Sequence, residues 1–224
     1  MPILINPMPP CLDDDLRDLI GRVDFPTLGH TLEEGFTTPD LRRQAGDRRM
    51  VGVAVTVSLT PTDSTLLHHV ASRVRTGDVL VVHTGNDRLR APLGAVVANA
   101  LAARGAAGVV IDGVCTDIEA LRGLGLPVYA YGTSVLTTKL HGIDNGAINV
   151  PVACAGAAIN PGDVVLGDAN GVLAVDREVL RSALPTAIED DEEEPAFVKT
   201  LWDGAILGAE TGADEILRKL GALA

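Results

Sequence analysis

Two short stretches concentrate the side chains able to do chemistry in this chain. The first is His83-Thr84-Gly85-Asn86-Asp87-Arg88, at the end of the apolar run 79–84. The second is Asp112-Gly113-Val114-Cys115-Thr116-Asp117, at the end of the apolar run 108–112. Carboxylates, an imidazole, hydroxyls and an arginine so close together suit proton transfer and the holding of a small anion or a hard cation. Shortly after the first stretch, Pro92-Leu93-Gly94 leads into a helical pattern that ends at Arg104, before Gly105. The free N–H groups and positive dipole end of a helix start can hold a carboxylate or phosphate. Gly94 lets such a ligand approach, although packing of helix on sheet is a competing reason for the glycine. Asp117 is a candidate metal ligand, because Mg²⁺ commonly uses one or two protein carboxylates and keeps several waters. Thr-Asp-Ile-Glu at 116–119 also fits a capping box, with Thr116 as N-cap and Glu119 at N3. On residue types alone, that plainer explanation of Asp117 leads.

The elements that must position these stretches follow from periodicity. Residues 51–59, 79–84, 108–112, 127–131 and 147–152 read as strands, being β-branched and partly alternating. Residues 13–23, 64–74 (with Asp63 as a cap), 92–104 and 116–124 read as helices. Strands and helices alternating at this spacing imply right-handed crossovers and a locally parallel sheet. In such a sheet ligands bind beyond the carboxyl ends of the strands, where the two stretches would face each other. Residues 161–175 read as a hairpin turned at Asn170-Gly171 in type I′ geometry. Helices are expected over 178–184, about 192–207 and about 213–221. The sequence thus predicts one α/β domain over 1–224, with an extended Pro-rich arm at 1–11 and C-terminal helices from about 178.

Composition narrows the function. Hydrophobic residues make up 46% and aromatics 3%, so the core is aliphatic and a large aromatic-lined ligand site is not expected. A net charge of −12 repels phosphate backbones and argues against nucleic-acid binding. The absence of a long uncharged apolar run and of a signal pattern predicts a cytoplasmic protein without a membrane span. Three cysteines, with no C-x-x-C pair, fit neither a disulfide framework nor a structural zinc site and read as small buried hydrophobes. The acidic run 189–194 reads as a solvated helix start, His68-His69 as structural or exposed, and Asp163, Asp168 and Asn170 as turn residues. No phosphate loop ending in G-K-[ST] and no G-x-S-x-G elbow occurs.

Taken in order, G-V-A-V-T-V (52–57), P-L-G (92–94), A-R-G-A-A-G-V-V-I-D-G-V-C-T-D (103–117), N-V-P-V-A-C-A-G (149–156) and P-G-D-V-V-L-G-D-A-N-G-V (161–172) resemble the RraA-like family. That family includes 4-hydroxy-4-methyl-2-oxoglutarate / 4-carboxy-4-hydroxy-2-oxoadipate aldolases and the regulator of ribonuclease E activity A. The resemblance implies a swivelling β/β/α-type sandwich, assembly as a homotrimer or hexamer with sites at subunit interfaces, and a class II lyase using Mg²⁺ or Mn²⁺. It puts the metal aspartate on Asp117 and a glutamate from the adjacent subunit on Glu194. It puts the amides that bind the substrate's pyruvate half on Leu93 and Gly94, beside Ala95. Two positions depart from the aldolases. Thr116 stands where they carry an arginine, and Ala95 stands where they carry an acid. A threonine cannot supply the fixed positive charge that stabilises a developing enolate. Arg88 or Arg90 is expected to reach the pocket instead, with Asn86 beside the substrate, Thr116 orienting a water or hydroxyl, and Lys139 and His141 as further cations nearby. Two readings follow: a metal-dependent aldolase- or decarboxylase-type lyase on a small 2-oxo or hydroxy acid with an altered site, or a non-catalytic regulatory protein. A hydratase or isomerase of similar substrates is a third.

Overall fold

The computed structural model describes residues 2–223. Four parallel strands form its centre: β3 (Met50–Ser58), β4 (Asp78–His83), β5 (Gly108–Ile111) and β6 (Val128–Ala130), paired in that order. They are nearly continuous runs of Val, Ile and Leu because both faces are covered. Beyond β6 lies β2 (Arg42–Ala45), antiparallel. On the other side, the long β3 has two neighbours. Its end pairs with β7 (Ala147–Ile148), which carries β1 (Leu4–Ile5). Its start pairs with the hairpin β10 (Val164–Gly167) and β11 (Val172–Val175). A separate hairpin, β8 (Val152–Cys154) and β9 (Ala157–Ile159), completes the strands.

Alternation along the strands sorts the core. Val55, Val57, Leu80, Val82, Val109 and Ile111 face one layer, formed by α2 (Thr65–Ala71), α3 (Ala95–Ala103) and α4 (Ile118–Leu124). Val79, Val81, Val110 and Tyr129 face the opposite way, against the β8–β9 hairpin and β10. A third cluster joins α1 (Asp14–Ile20) and the 3-10 turn Phe25–His30 to the long α5 (Arg177–Trp202). Two short helices follow, α6 (Leu207–Glu210) and α7 (Ala213–Lys219). The result is an α layer, a mixed sheet and a smaller β layer, as the family resemblance implies.

Several local expectations are corrected. One helix spans Pro185 and Pro195, where two were expected. Each proline removes one helical donor, but Leu180, Leu184, Ala187 and Ile188 are buried, and that packing holds the helix together. The expected strand 147–152 breaks at Asn149, whose φ of 56° is left-handed. The β10–β11 connection is not type I′, since Asn170 lacks a positive φ. Instead the Asp168 carboxylate accepts from the Asn170 N–H at 2.7 Å, an Asx turn. Cys11 is exposed, while Cys115 and Cys154 are buried as expected.

Candidate functional site

The β4 and β5 loops meet as their strand order requires, through Asp112. Its carboxylate is 3% exposed and accepts from the Thr84 N–H at 2.5 Å and the Thr84 hydroxyl at 2.7 Å. Its other oxygen meets His83 Nδ1 at 2.8 Å. That hydrogen bond raises the His83 pKa, against the opposing effect of burial, and the Asp112 charge and the Ala153 carbonyl add to the rise. A pKa raised by folding contributes stability that is fully present below about pH 6.5, the unfolded value, and is lost as pH rises through the folded value. The thermal midpoint should therefore fall as pH increases from neutrality, and His83→Gln should flatten that slope. NMR titration of His83 at or below its ordinary range would count against this.

Asp117 sits in an unusual conformation. It precedes α4 with φ 55° and ψ 41°, left-handed for a residue with a side chain. Strain of this kind concentrates at sites where geometry is over-determined. The expected capping box does not form: Thr116 is not the N-cap, Asp117 makes no side-chain cap to α4, and Glu119 pairs with Arg122 at 3.7 Å. Instead Asp117 Oδ2 crosses to the start of α3 and accepts from the Ala95 N–H at 2.8 Å. The crossing is fixed by a backbone bond from the Thr116 N–H to the Leu93 carbonyl at 2.9 Å. Gly94, the α3 N-cap, permits it: a β-carbon there would lie 2.6 Å from Asp117 Oδ2.

Around Asp117 opens a cleft of about 170 Å³, lined by α2, the start of α3 and the 137–138 segment. Its polar wall is Ser64, His68, Thr116, Asp117, Thr137 and Thr138. The structure thus joins Thr116, Asp117 and Gly94 as expected. Leu93 is fully buried behind the cleft, and Ala95 offers an N–H that Asp117 already occupies. Arg88 does not line the cleft. Its guanidinium stacks 3.6 Å over the Tyr131 ring and its Nε donates to Asn86 at 3.0 Å, so the expectation that it reaches Asp117 is corrected. Arg90 is likewise held by Asp87 at 3.1 Å. Glu194 is exposed on α5 and does not line the cleft of its own chain. His68 is the residue that sequence reasoning missed. Its spacing of four from Ser64 puts both on one face of α2, and that was the available signal.

The two buried thiols are not nucleophile candidates. Burial pushes Cys115 up to about 11 and raises Cys154 as well, so both stay protonated. Among the described residues no three His, Cys, Asp or Glu side chains cluster as a closed metal cage, and no helix is long and apolar enough to cross a membrane.

Against known proteins, the RraA-like family model (Aldolase/RraA) matches residues 22–174. A Halalkalibacterium halodurans protein named "Putative 4-hydroxy-4-methyl-2-oxoglutarate aldolase" is 35% identical over 153 residues, covering 66% of this chain and 72% of the relative. Among solved structures, Streptomyces coelicolor RraAS2, described as an unusual member of the RNase ES inhibitor RraA family, aligns with a TM-score of 0.73 at 25% identity over 85% of this chain and 98% of that one. The RNA-processing inhibitor RraA from Thermus thermophilis aligns with a TM-score of 0.58 at 26% identity, over 73% and 93% of the two chains.

Proposed function

The chain belongs to the RraA-like family, and from that premise we propose that it is a carbon–carbon lyase of the aldolase or decarboxylase type, acting on a small 2-oxo or hydroxy acid with a divalent cation held through Asp117. The observation that carries the reading is the Asp117 carboxylate, held in a left-handed conformation against the α3 N-terminus in the wall of a small open cleft. The donor set fits such an ion. Apart from the His68 imidazole its donors are oxygens, with Asp117 Oδ1 left over from the Ala95 bond and the hydroxyls of Thr116, Thr137 and Thr138 in the same wall, which suits Mg²⁺ or Mn²⁺ better than a soft metal. Bound there, the ion supplies Lewis-acid polarisation of the 2-oxo group.

The chain's own groups divide the remaining work. Helix starts leave four N–H groups without helical partners; Asp117 takes that of Ala95, which leaves those of Val96 and Val97 for the substrate's carboxylate. His68 and Asp117 are the titratable side chains in the cleft wall, so His68 is the group to take the proton from a substrate hydroxyl as the bond breaks. Thr116 orients that hydroxyl or a water. A second reading, a non-catalytic regulator, draws on one observation: among the described residues no lysine or arginine lines the cleft to steady an enolate.

Calorimetry separates the two readings. Mg²⁺ or Mn²⁺ should support binding of oxalate, an enolate mimic, and Asp117→Ala should abolish it. Absence of metal-dependent oxalate binding in the unaltered protein would sink the lyase reading and favour the regulator.

We propose further that the protein works as a homotrimer or hexamer. Leu89, Val96, Val135, Leu136 and Leu140 are exposed, several of them beside the cleft, and Trp202, Ile206, Ile216 and Leu220 are exposed along the C-terminal segment. Helices of four and seven residues such as α6 and α7 are not stable in water without packing partners. A neighbouring copy supplies such a partner, and could bring Glu194 to the Asp117 cleft. Light scattering of the eluting protein should give a trimer or hexamer mass, and Trp202→Ala with Leu220→Lys should lower it. A monomer would refute the assembly.

A further inference from the structure

A cavity of about 370 Å³ lies between the 31–35 segment, the turn joining β9 to β10, and the start of α5. Four carboxylates line it: Glu33, Glu34, Asp163 and Asp176. None of the four forms an ion pair among the described residues. Arg177, next to Asp176 in the chain, directs its guanidinium to the carbonyls of Pro10, Cys11 and Gly162 instead.

Asp163 is the residue that points to a ligand. It is 7% exposed, yet only one of its carboxylate oxygens is satisfied. Oδ2 closes the turn, accepting from the Asn160 N–H at 2.7 Å and from the Asn160 amide at 3.4 Å. Oδ1 takes no hydrogen bond among the described residues and opens into the cavity. A carboxylate so buried ordinarily has a cation or further donors beside it. Burial raises the Asp163 pKa, the Asn160 bonds offset that only in part, and the Asp176 charge adds to the rise. A bound cation would act against both causes of the rise.

The rim is held in place. The Gly35 carbonyl accepts from the Ala174 N–H at 2.9 Å, which seats Glu33 and Glu34 beside β11. Asp176 is fixed as the N-cap of α5 and accepts from the Glu178 N–H at 2.8 Å. Among the described residues no three acids converge as a cage for a metal ion. The wall between them is aliphatic, with Leu32, Val175 and Val179. Separated carboxylates across an aliphatic wall match a cation with two charged ends and a methylene stem between them.

We infer that this cavity binds an aliphatic diamine, with one ammonium on Asp163 Oδ1 and the other at the Glu33–Glu34 rim. The inference does not rest on the lyase reading.

Calorimetry on the full chain with 1,4-diaminobutane and with butylamine tests it. The two share a four-carbon stem, and only the first carries two charges. Butylamine also reproduces the end of a lysine side chain. The unaltered protein should bind one diamine per chain, about tenfold more tightly than butylamine, the lower end of the range for a hydrogen bond to a charged group. Asp163→Asn keeps an oxygen for Asn160 and turns an amide toward the cavity, so it should abolish binding. Glu33→Gln with Glu34→Gln, both exposed, should leave the fold intact and reduce the diamine to the affinity of butylamine. Glu210→Gln, on α6 and outside the cavity lining, removes a charge and should change nothing, which separates a site from the general pull of an acidic chain on amines. Asp117→Ala should bind the diamine as the unaltered protein does. No diamine binding by the unaltered protein, or a preference that survives Asp163→Asn or the rim pair, would overturn the inference. So would an equal loss in Glu210→Gln. Equal affinities for the two amines would also overturn it and point to a lysine of a partner. If Asp163→Asn fails to fold, the rim pair decides alone.

Discussion

Asp63→Ala is expected to lower the unfolding free energy by about 2 kcal/mol, the scale for stranding several part-buried donors. Asp63 is 5% exposed, and four donors converge on it. The Thr65 N–H and hydroxyl donate at 2.9 and 2.6 Å, the His141 N–H at 3.2 Å and the Ile143 N–H at 2.7 Å. Burial alone would raise its pKa, but these hydrogen bonds win and bring it down to about 2. The residue therefore ties the start of α2 to the 139–143 segment by charge and geometry together. Asp63→Asn should not rescue it, because an amide would turn a donor toward donors. Urea unfolding measures the loss, with an unchanged slope if the unfolded state is unaffected. The pH dependence has a definite sign. A folded pKa below the unfolded one contributes stability that is present above about pH 4 and lost as pH falls toward about 2. Asp63→Ala should erase that acid-side component, and a variant as stable as the parent would show that the carboxylate is not what anchors the segment.

The same carboxylate marks how far the sequence could be read. The sequence marks Asp63 as a cap for α2, since it precedes a helical pattern, but Ser64 is the N-cap and Asp63 holds the Thr65 N–H from one position earlier. Its two bonds to residues about eighty positions later were not, because no local pattern encodes a loop's return. The central strands were legible for the opposite reason. Runs such as 79–84 and 108–112 are apolar throughout, and their spacing around helical stretches leaves few topologies. The pairing of Leu4–Ile5 with Ala147–Ile148 was invisible, since two residues in a proline-rich arm carry no period. At the site, Asp117 and Gly94 were legible as neighbours from topology and motif. The direction of the Asp117 side chain was not. The sequence around it spells a cap for its own helix, and tertiary structure sends it to α3 instead. Arg88 shows the same limit, because an aromatic ring two strands away decides where a long flexible side chain rests.

Gly94→Ala should cost binding and turnover at least a hundredfold while costing little stability, and the separation of the two follows from where the new methyl would go. Gly94 has φ −133° and ψ −169°, extended backbone that alanine adopts freely. Replacing glycine by alanine at an N-cap costs at most about 1 kcal/mol. The added β-carbon, however, would lie 2.6 Å from Asp117 Oδ2 and 2.9 Å from Thr116 Cγ2. The methyl cannot move, so the carboxylate must, and it surrenders the Ala95 N–H that aims it. A displacement near 1 Å at a reacting centre is enough for a loss of about a hundredfold. Circular dichroism should show a nearly unchanged melting transition, and Mg²⁺-dependent oxalate binding should be lost. Oxalate binding that survived Gly94→Ala with its affinity intact would show that the aim of the Asp117 carboxylate does not depend on the room Gly94 leaves it.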